Sequence, residues 1–231
     1  MLTLYHLTNS RSQRIVWLLT ALQVEFELIF VERTATGEAH ESLKSIHPLG
    51  KVPILVHEEK NQKTILAETA AIIDYLAANF PQHPLFDCQN NRADYCYYKN
   101  FADSSLMPNL ALKQIFARLV DFSPFFAKPI SKAIKNGVDS RYLNPTLTEQ
   151  LAIIDKSLSK QDFLARKHLI AVDILMGFML LALAVSMPNF KQFSHIQAYL
   201  QRVEHLPNYQ MAVKRGKFDI VEFKDYWLKA W

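Results

Sequence analysis

The alternation of apolar and polar positions divides the chain into a first part of mixed periodicity and a longer second part that is helical throughout. Short β-rich runs at residues 2–6 and 26–31 predict two strands, and the apolar side chains between them share one helical face. Further along, the pattern predicts a short helix or loop at 34–46, a hairpin built from 54–57 and 64–67, and a helix with Ile72, Ile73, Leu76 and Ala77 on its apolar face. The order β-α-β-α-β-β-α indicates an α/β unit with a mixed sheet.

A proline-rich break at residues 80–84 predicts a linker between two domains. Beyond it the apolar spacing is helical, and prolines should kink or separate the helices because proline lacks a backbone N–H. The predicted helices lie at about 90–119, 123–142, 146–160, 171–186, 192–204 and 207–215, with prolines at 108, 124, 129, 145, 188 and 207. We therefore expect an α/β domain over residues 1–80 and an all-α domain over residues 88–231.

Composition excludes several classes of function. The chain has 231 residues, of which 50% are hydrophobic and 21% charged, as in an ordinary globular protein. Its net charge of +4 suits an acidic small molecule, but long basic runs are missing, so we expect no nucleic-acid partner. With only five glycines and no glycine-rich phosphate fingerprint, dinucleotide-binding and P-loop folds are excluded.

Cysteine and histidine usage predicts neither a disulfide nor a metal site. Cys88 and Cys96 are eight positions apart, which fits free thiols in a reducing cytosol. The eight histidines are scattered without metal-ligand spacing. The chain starts at Leu2–Tyr5 without a signal-peptide pattern, and its longest apolar run, Ile174–Met187, is too short to span a bilayer. A cytoplasmic location with no membrane partner is the expectation.

Two segments have the chemistry to hold a small anionic peptide. Val52-Pro53 lies where a loop enters an apolar run, a place that suits a cis peptide bond, although only a minority of X-Pro bonds are cis. Such a bond would turn the backbone of Val52 outward to pair with an extended ligand as a short added strand. Glu68-Thr69 opens the next helix, and helix N-terminal amides suit a carboxylate. The two segments would hold two ends of one peptide.

These motifs, taken together, resemble those of cytosolic glutathione S-transferases of bacterial and fungal type over nearly the whole chain. The resembling segments are residues 4–14, Lys51-Val52-Pro53, Glu68-Thr69, residues 95–108 and Ala171-Val172-Asp173-Ile174. The resemblance implies a thioredoxin-like, glutathione-binding domain over residues 1–80, an all-helical domain over 88–231 with the electrophile pocket, and a homodimer. Glutathione would be a co-substrate rather than a cofactor, bound in a cleft between the domains.

The resemblance to serine-type members implies that the Ser10 hydroxyl stabilises the glutathione thiolate. Free thiols are only a few per cent ionised at neutral pH, so a donor aimed at sulfur near a helix N-terminus favours the reactive form. Ser10 is also an ordinary helix N-cap candidate. Ser12 is a nearby alternative, and Tyr5 matches the phenol of tyrosine-type members although a structural role suits it better. No cysteine lies in this region, so a cysteine nucleophile is excluded.

The same resemblance assigns the binding residues. The backbone of Val52, next to Pro53, would pair with the cysteinyl unit, Glu68 would accept from the ammonium of the γ-glutamyl end, and Thr69 would donate to its carboxylate. Further candidates are Lys51 and His40 for the glycyl carboxylate and Asp103 for glutathione of the neighbouring subunit, each equally explained as a solvated polar residue. The electrophile pocket would be lined by Tyr95, Tyr98, Phe101, Leu106 and Met107, which equally fit a helical core.

The function that follows is conjugation of glutathione to hydrophobic electrophiles in detoxification, with hydroperoxide reduction as a side activity. A glutathione-transferase-like binding or regulatory protein without turnover is the alternative, and a glutathione-dependent isomerase or dehalogenase is a third. One departure concerns the buried helix that begins near Asp173. Ile170 stands where the family has a Ser or Thr cap, so we expect Asp173 to lack a side-chain partner there, at a cost of about 1 kcal/mol.

Overall fold

The chain is divided by its contacts into two compact units. The computed structural model describes residues 1–34, 40–60, 62–87 and 91–231. Unit 1 comprises Met1–Gln89, Leu169–Ile174 and Arg202–Ile220, and unit 2 comprises Asn90–His168, Leu175–Gln201 and Val221–Trp231. The domain boundaries near residues 80 and 88 stay a prediction, and packing adds two later segments to the unit that contains the sheet.

Unit 1 is built on a mixed four-stranded sheet, as the pattern predicted. Its strands are β1 (Leu2–His6), β2 (Phe26–Phe30), β3 (Ile54–Glu59) and β4 (Gln62–Ala67), in the order β2-β1-β3-β4. β1 and β2 run parallel, whereas β3 is antiparallel to both β1 and β4. The thioredoxin-like fold class is thereby confirmed, with the segment between β2 and β3 containing a 3-10 helix at Glu41–Ser45.

The α-helices in chain order are α1 (Gln13–Ala21), α2 (Thr69–Asn79), α3 (Arg92–Asn100), α4 (Met107–Phe122), α5 (Lys128–Val138), α6 (Asn144–Leu158), α7 (Ala171–Ser186), α8 (Ser194–Glu204), α9 (Pro207–Arg215) and α10 (Ile220–Leu228). None of the helices in the described part of the chain is both long and apolar enough to cross a membrane.

Every residue of α1 is buried, including polar Gln13 and Arg14. The cause is α9, which packs on α1 within unit 1: Trp17 Nε1 donates to Asn208 Oδ1 at 3.1 Å, and its ring meets Tyr209 edge to face. Burial raises the pKa of Tyr209 to about 12. A helix that the sequence pattern placed in the second domain therefore covers the first helix of unit 1.

Two prolines lie just after π-helical turns rather than between separate helices. The π turn Phe101–Leu106 precedes Pro108 and joins α3 to α4, and the π turn Asp139–Leu143 precedes Pro145 and joins α5 to α6. A proline removes one backbone donor, and a local wider turn accommodates that loss. The prediction that a gap separates helices 123–142 and 146–160 is therefore wrong, because helical structure runs from Lys128 to Leu158.

The last helix, α10, was not predicted. Phe223 and Trp227 are one helical turn apart, are buried, and lie 6.1 Å apart between ring centroids. Phe223 also packs edge to face on Phe178 of α7 at 5.1 Å, both residues belonging to unit 2. This i, i+4 aromatic pair was the available sequence signal for α10.

Asp173 has no side-chain partner at position 170, as expected, but it does have a backbone partner there. The backbone N–H of Ile170 donates to Asp173 Oδ2 at 3.0 Å, and the backbone N–H of Asp173 donates to the Ile170 carbonyl at the same distance. Half of the reciprocal capping arrangement needs only the backbone of residue 170. An isoleucine there therefore keeps the bond that satisfies the buried carboxylate.

Candidate functional site

Three loop segments meet at one end of the sheet in unit 1. Tyr5 pairs with Ile54, and Ile54 pairs with Ala67. The end of β1, the start of β3 and the end of β4 therefore lie side by side. The segments that leave or enter there are the loop that carries Ser10, the Val52-Pro53 loop and the Glu68-Thr69 start of α2. Register alone brings together the residues that the sequence analysis selected from separate parts of the chain.

The Val52-Pro53 peptide bond is cis, as predicted. Pro53 is buried and immediately precedes β3, whereas Val52 is half-buried and packs against the cluster formed by Leu43, Ile54 and Val56. Within the described chain no backbone group hydrogen-bonds to the Val52 N–H or C=O. Both groups are available to an added strand.

The Ser10 hydroxyl lies beside a second serine at the start of α1. Ser10 Oγ is 2.8 Å from Ser12 Oγ and accepts the Ser12 backbone N–H at 3.2 Å. Ser12 occupies the N-cap position and makes no side-chain capping bond, whereas Ser10 Oγ accepts the N–H two residues further on, as a capping serine does. Ser10 is half-buried, whereas Ser12 is fully buried. The hydrogen bonds of Ser10 fit an ordinary capping role at the start of α1, and its role toward sulfur stays a prediction.

The Ser12 hydroxyl is held from within the fold. It lies 2.7 Å from His6 Nδ1, and it accepts the Leu7 backbone N–H at 3.1 Å. His6 is fully buried, and its Nε2 is 2.9 Å from the Gly216 carbonyl oxygen. Burial lowers the pKa of His6, and the hydrogen bond to Gly216 opposes that shift. Of the two serines, Ser10 is the one that is not fully buried.

At the start of α2, Thr69 is arranged to donate to an anion. Arg14 Nη2 lies 3.2 Å from Thr69 Oγ1, and because a guanidinium only donates, the threonine oxygen accepts in this bond. The Thr69 hydroxyl proton is thus left for another acceptor. The buried positive charge of Arg14 and the amides of the first α2 turn both favour a carboxylate here.

Glu68 is the N-cap residue of α2 and has φ 70° and ψ 125°, in the left-handed φ range that non-glycine residues rarely adopt. Its side chain is exposed and makes no capping bond with the helix. Strained residues of this kind concentrate at ligand-binding sites. The strain fits a carboxylate turned out of the helix toward a ligand.

The remaining unit 1 candidates are placed as follows. Tyr5 is half-buried and packs against the Leu43 cluster, which supports its structural interpretation. His40 is exposed and uses Nδ1 to accept the Ser42 backbone N–H at 3.2 Å, as the N-cap of the 3-10 helix. Lys51 is exposed beside Val52. The position of these two side chains therefore gives no support to their predicted role toward the glycyl carboxylate, which stays a prediction.

The candidates in unit 2 lie on α3, the following π turn and the start of α4. Asp103 is half-buried within the π turn. The proposed pocket residues are all buried, with 8% or less of their surface exposed, namely Tyr95, Tyr98, Phe101, Leu106 and Met107. Burial also raises the pKa of Tyr98. These values support the helical-core interpretation, and the pocket role stays a prediction.

Sequence reasoning missed three residues of the site: His6, Arg14 and Gly216. Arg14 had a signal, because it is a charged residue within an apolar helix, and a buried charge needs partners. His6 and Gly216 are 210 positions apart and had none. No group of three or more His, Cys, Asp or Glu side chains in the described ranges is arranged to hold a metal ion.

The fold and the site define a thioredoxin-like sheet unit, with a cis-proline loop beside a helix N-terminus, followed by a helical unit. The family model "Glutathione S-transferase, N-terminal domain" matches residues 1–78, and "Glutathione S-transferase, C-terminal domain" matches residues 122–207. Glutathione S-transferase 1 of Saccharomyces cerevisiae is 31% identical over 178 residues, covering 74% of this chain and 76% of the yeast protein.

Two further relatives span almost the whole chain. Glutathione S-transferase 3 of Schizosaccharomyces pombe is 29% identical over 217 residues, covering 93% of this chain and 88% of that protein. A crystal structure of a glutathione S-transferase from Actinobacillus pleuropneumoniae has a TM-score of 0.77 and 27% identity, covering 99% of both chains. The chain belongs to the glutathione S-transferase family.

Proposed function

We propose that this glutathione transferase binds glutathione at the end of the sheet in unit 1 and uses the Ser10 hydroxyl to stabilise the thiolate. The observation that carries the proposal is the convergence of a half-buried hydroxyl, an unpaired extended backbone and a helix N-terminus backed by a buried arginine. Each feature suits one part of a γ-glutamyl-cysteinyl-glycine peptide.

In this arrangement the Val52 N–H and C=O pair with the cysteinyl backbone, which directs the sulfur along the sheet end. Thr69 donates to the γ-glutamyl carboxylate, and Glu68 accepts from its ammonium group. Lys51 and His40 are the candidates for the glycyl carboxylate. Glutathione is a co-substrate in this scheme, and no cofactor takes part.

The chemistry is nucleophilic attack by the bound thiolate on an electrophilic carbon, whose leaving group departs with its bonding electron pair. The Ser10 O–H donates to the sulfur and lowers the thiol pKa, at about 1.4 kcal/mol for each pKa unit. Orientation of the two substrates supplies further acceleration. The same thiolate would reduce hydroperoxides, which stays a prediction of a side activity.

The test combines calorimetric titration with glutathione and a chlorodinitrobenzene conjugation assay. Ser10→Ala should leave glutathione binding within about threefold and lower kcat/KM by about 100-fold, the scale of one lost donor to a developing anion. Tyr5→Phe and Ser12→Ala test the two alternative hydroxyls. Ser159→Ala, an exposed serine of unit 2, is the matched control and should change nothing.

Two outcomes would decide against this proposal. Full turnover by Ser10→Ala would remove Ser10 from the mechanism. Glutathione binding without turnover in the unmodified chain, with every electrophile class, would favour the binding or regulatory alternative.

We also propose that the protein is a homodimer. Apolar side chains on α4, α5 and the segment between them are exposed, notably Phe122 at 81%, Phe125 at 86%, Phe126 at 71% and Ile130 at 66%. Large exposed apolar surfaces mark interaction sites. Phe122→Ser with Ile130→Ser should give a monomer in sedimentation velocity, whereas Met211→Ser, an exposed residue of α9, should not.

The exposed, free thiol of Cys96 supports the cytoplasmic location, since such thiols persist in reducing compartments. Fractionation of cells that express the chain with a terminal tag tests this part of the proposal.

A further inference from the structure

A chain of hydrogen-bonded groups leads from the proposed donor into the interior of unit 1. It runs from Ser10 Oγ to Ser12 Oγ at 2.8 Å, from Ser12 Oγ to His6 Nδ1 at 2.7 Å, and from His6 Nε2 to the Gly216 carbonyl at 2.9 Å. Ser12 and His6 are both fully buried. Nothing in the proposed function so far uses His6, a titratable group held two hydroxyls away from the sulfur.

The partners determine where each proton lies. A carbonyl oxygen only accepts, so His6 Nε2 carries a proton, and in the neutral ring Nδ1 is then an acceptor. The Ser12 hydroxyl has two acceptors in reach, His6 Nδ1 at 2.7 Å and the Leu7 carbonyl oxygen at 3.2 Å. We assign its proton to Nδ1, which is the nearer of the two. Because that uses the only Ser12 proton, Ser12 Oγ accepts both the Leu7 N–H and the Ser10 O–H. Without glutathione, the Ser10 proton points inward.

We propose that His6 is a positioning residue that acts through Ser12 to turn the Ser10 hydroxyl toward sulfur and to receive the proton that leaves the glutathione thiol. The inference rests on the proposed role of Ser10. The S–H bond breaks as its proton joins Ser10 Oγ, the former Ser10 proton moves to Ser12 Oγ, and the former Ser12 proton moves to His6 Nδ1. One thiol and one neutral imidazole become one thiolate and one imidazolium.

After this transfer every hydrogen bond in the chain has reversed. His6 Nδ1–H donates to Ser12, Ser12 donates to Ser10, and Ser10 donates to the thiolate. The three groups thus stabilise the anion in series, since charge-assisted and connected hydrogen bonds strengthen one another. While Nδ1 is unprotonated and accepts the Ser12 proton, turning the Ser10 proton outward would leave two oxygen lone pairs facing each other at 2.8 Å. Protonation of Nδ1 removes this conflict, because Ser12 can then donate to Ser10.

The surroundings of His6 hold it neutral before glutathione binds. The His6 ring packs edge to face on the Phe30 ring, with 5.5 Å between the ring centroids. Lys217 Nζ lies 4.5 Å from the centroid of the Phe30 ring. The charged or titratable residues on the elements packed against β1 are Arg11 and Arg14 at the start of α1, Glu27 on β2, His57, Glu58 and Glu59 on β3, and Arg215, Lys217 and Asp219 around Gly216. Burial lowers the pKa of His6 by more than the hydrogen bond to the Gly216 carbonyl raises it. A thiolate beside Ser10 would supply a counter-charge for the imidazolium.

The principal test is His6→Asn, whose amide still bonds to Ser12 but accepts no proton. We expect the pKa of the bound glutathione thiol, read from the ultraviolet absorbance of the thiolate, to rise by about one unit. The pH profile of kcat/KM should shift by the same amount, with about a tenfold loss at neutral pH and a glutathione KM within about twofold. Ser12→Ala removes the middle hydroxyl of the hydrogen-bonded chain. The pKa of the bound glutathione thiol in this variant should equal that in His6→Asn.

His57→Asn is the matched control. His57 lies on the neighbouring strand β3 and its Nδ1 is 2.7 Å from the Tyr75 hydroxyl, so the same substitution removes a similar histidine–hydroxyl bond away from the site. Its thiol pKa should equal that of the unmodified protein.

A spectroscopic measurement on the unmodified chain needs no variant. Nitrogen NMR of ¹⁵N-histidine-labelled protein should show His6 protonated at Nε2 only. Glutathione should shift Nδ1 toward its protonated value, whereas S-methylglutathione, which has no ionisable thiol, should not. Equal responses to the two ligands, or an unchanged thiol pKa in His6→Asn while Ser10→Ala is inactive, would overturn this inference alone. Absence of glutathione binding would instead overturn the proposed function.

Discussion

A buried cluster of two lysines and one aspartate in unit 2 offers the sharpest test of the electrostatic reasoning. Asp139 lies between Lys113 of α4, at 3.3 Å, and Lys135 of α5, at 2.6 Å. Lys113 is 1% exposed, and its Nζ sits 3.5 Å from the centroid of a Trp231 ring. Burial lowers the pKa of Lys113 to about 8, more than the nearby carboxylate of Asp139 raises it.

The sign of the effect on stability follows from linkage. Below pH 8, Lys113 is charged in both the folded and the unfolded chain. Between pH 8 and 10.5, the folded chain releases this proton while the unfolded chain keeps it, so the free energy of unfolding rises with pH. At roughly 1.4 kcal/mol per pKa unit, the full rise is about 3 kcal/mol.

Lys113→Met should remove this pH dependence. Urea unfolding monitored between pH 7 and pH 10 should show a rising free energy for the unmodified chain and for Lys132→Met, an exposed control on α5, but not for Lys113→Met. At pH 7 the Lys113→Met chain should be at least as stable as the unmodified one, because Lys135 and Asp139 remain paired. A rise of unchanged size in Lys113→Met would refute the reasoning.

Substitutions at three other positions test the site. Glu68→Gly should relieve the left-handed φ and raise the free energy of unfolding by about 1 kcal/mol, while calorimetry should show at least a tenfold loss of glutathione affinity. A lower melting temperature would contradict the strain argument. Thr69→Val should cost about 2 kcal/mol in denaturant unfolding, because buried Arg14 loses its acceptor, and Thr69→Ser should recover most of it. Gly216→Ala should lower the free energy of unfolding by about 1–3 kcal/mol in the same measurement, because the new Cβ would clash with the buried Gln13 amide. That amide is held by its hydrogen bond to the Ala212 carbonyl. Unchanged stability would mean that the backbone around Gly216 shifts without cost.

Much of the architecture was predictable because it is locally encoded. The strands β1 to β4 and helices α1, α2, α7 and α9 follow from apolar periodicity. The position of Val52-Pro53 before a buried strand suggested the cis bond without requiring it, because most X-Pro bonds are trans. Ser10, Glu68 and Thr69 could be selected because each lies in a short sequence segment that resembles a motif of the family. The sequence predicted the elements and the surface groups of the site.

What only the tertiary structure decided are contacts between residues far apart in the chain. Prolines 108 and 145 follow π turns within longer helical runs, because neighbouring elements hold the backbone helical across the missing donors. The pairings of Arg14 with Thr69 and of His6 with Gly216 join positions 55 and 210 residues apart. Local periodicity cannot encode such pairings, because the first depends on how α1 packs against the start of α2 and the second on how the end of α9 lies against β1.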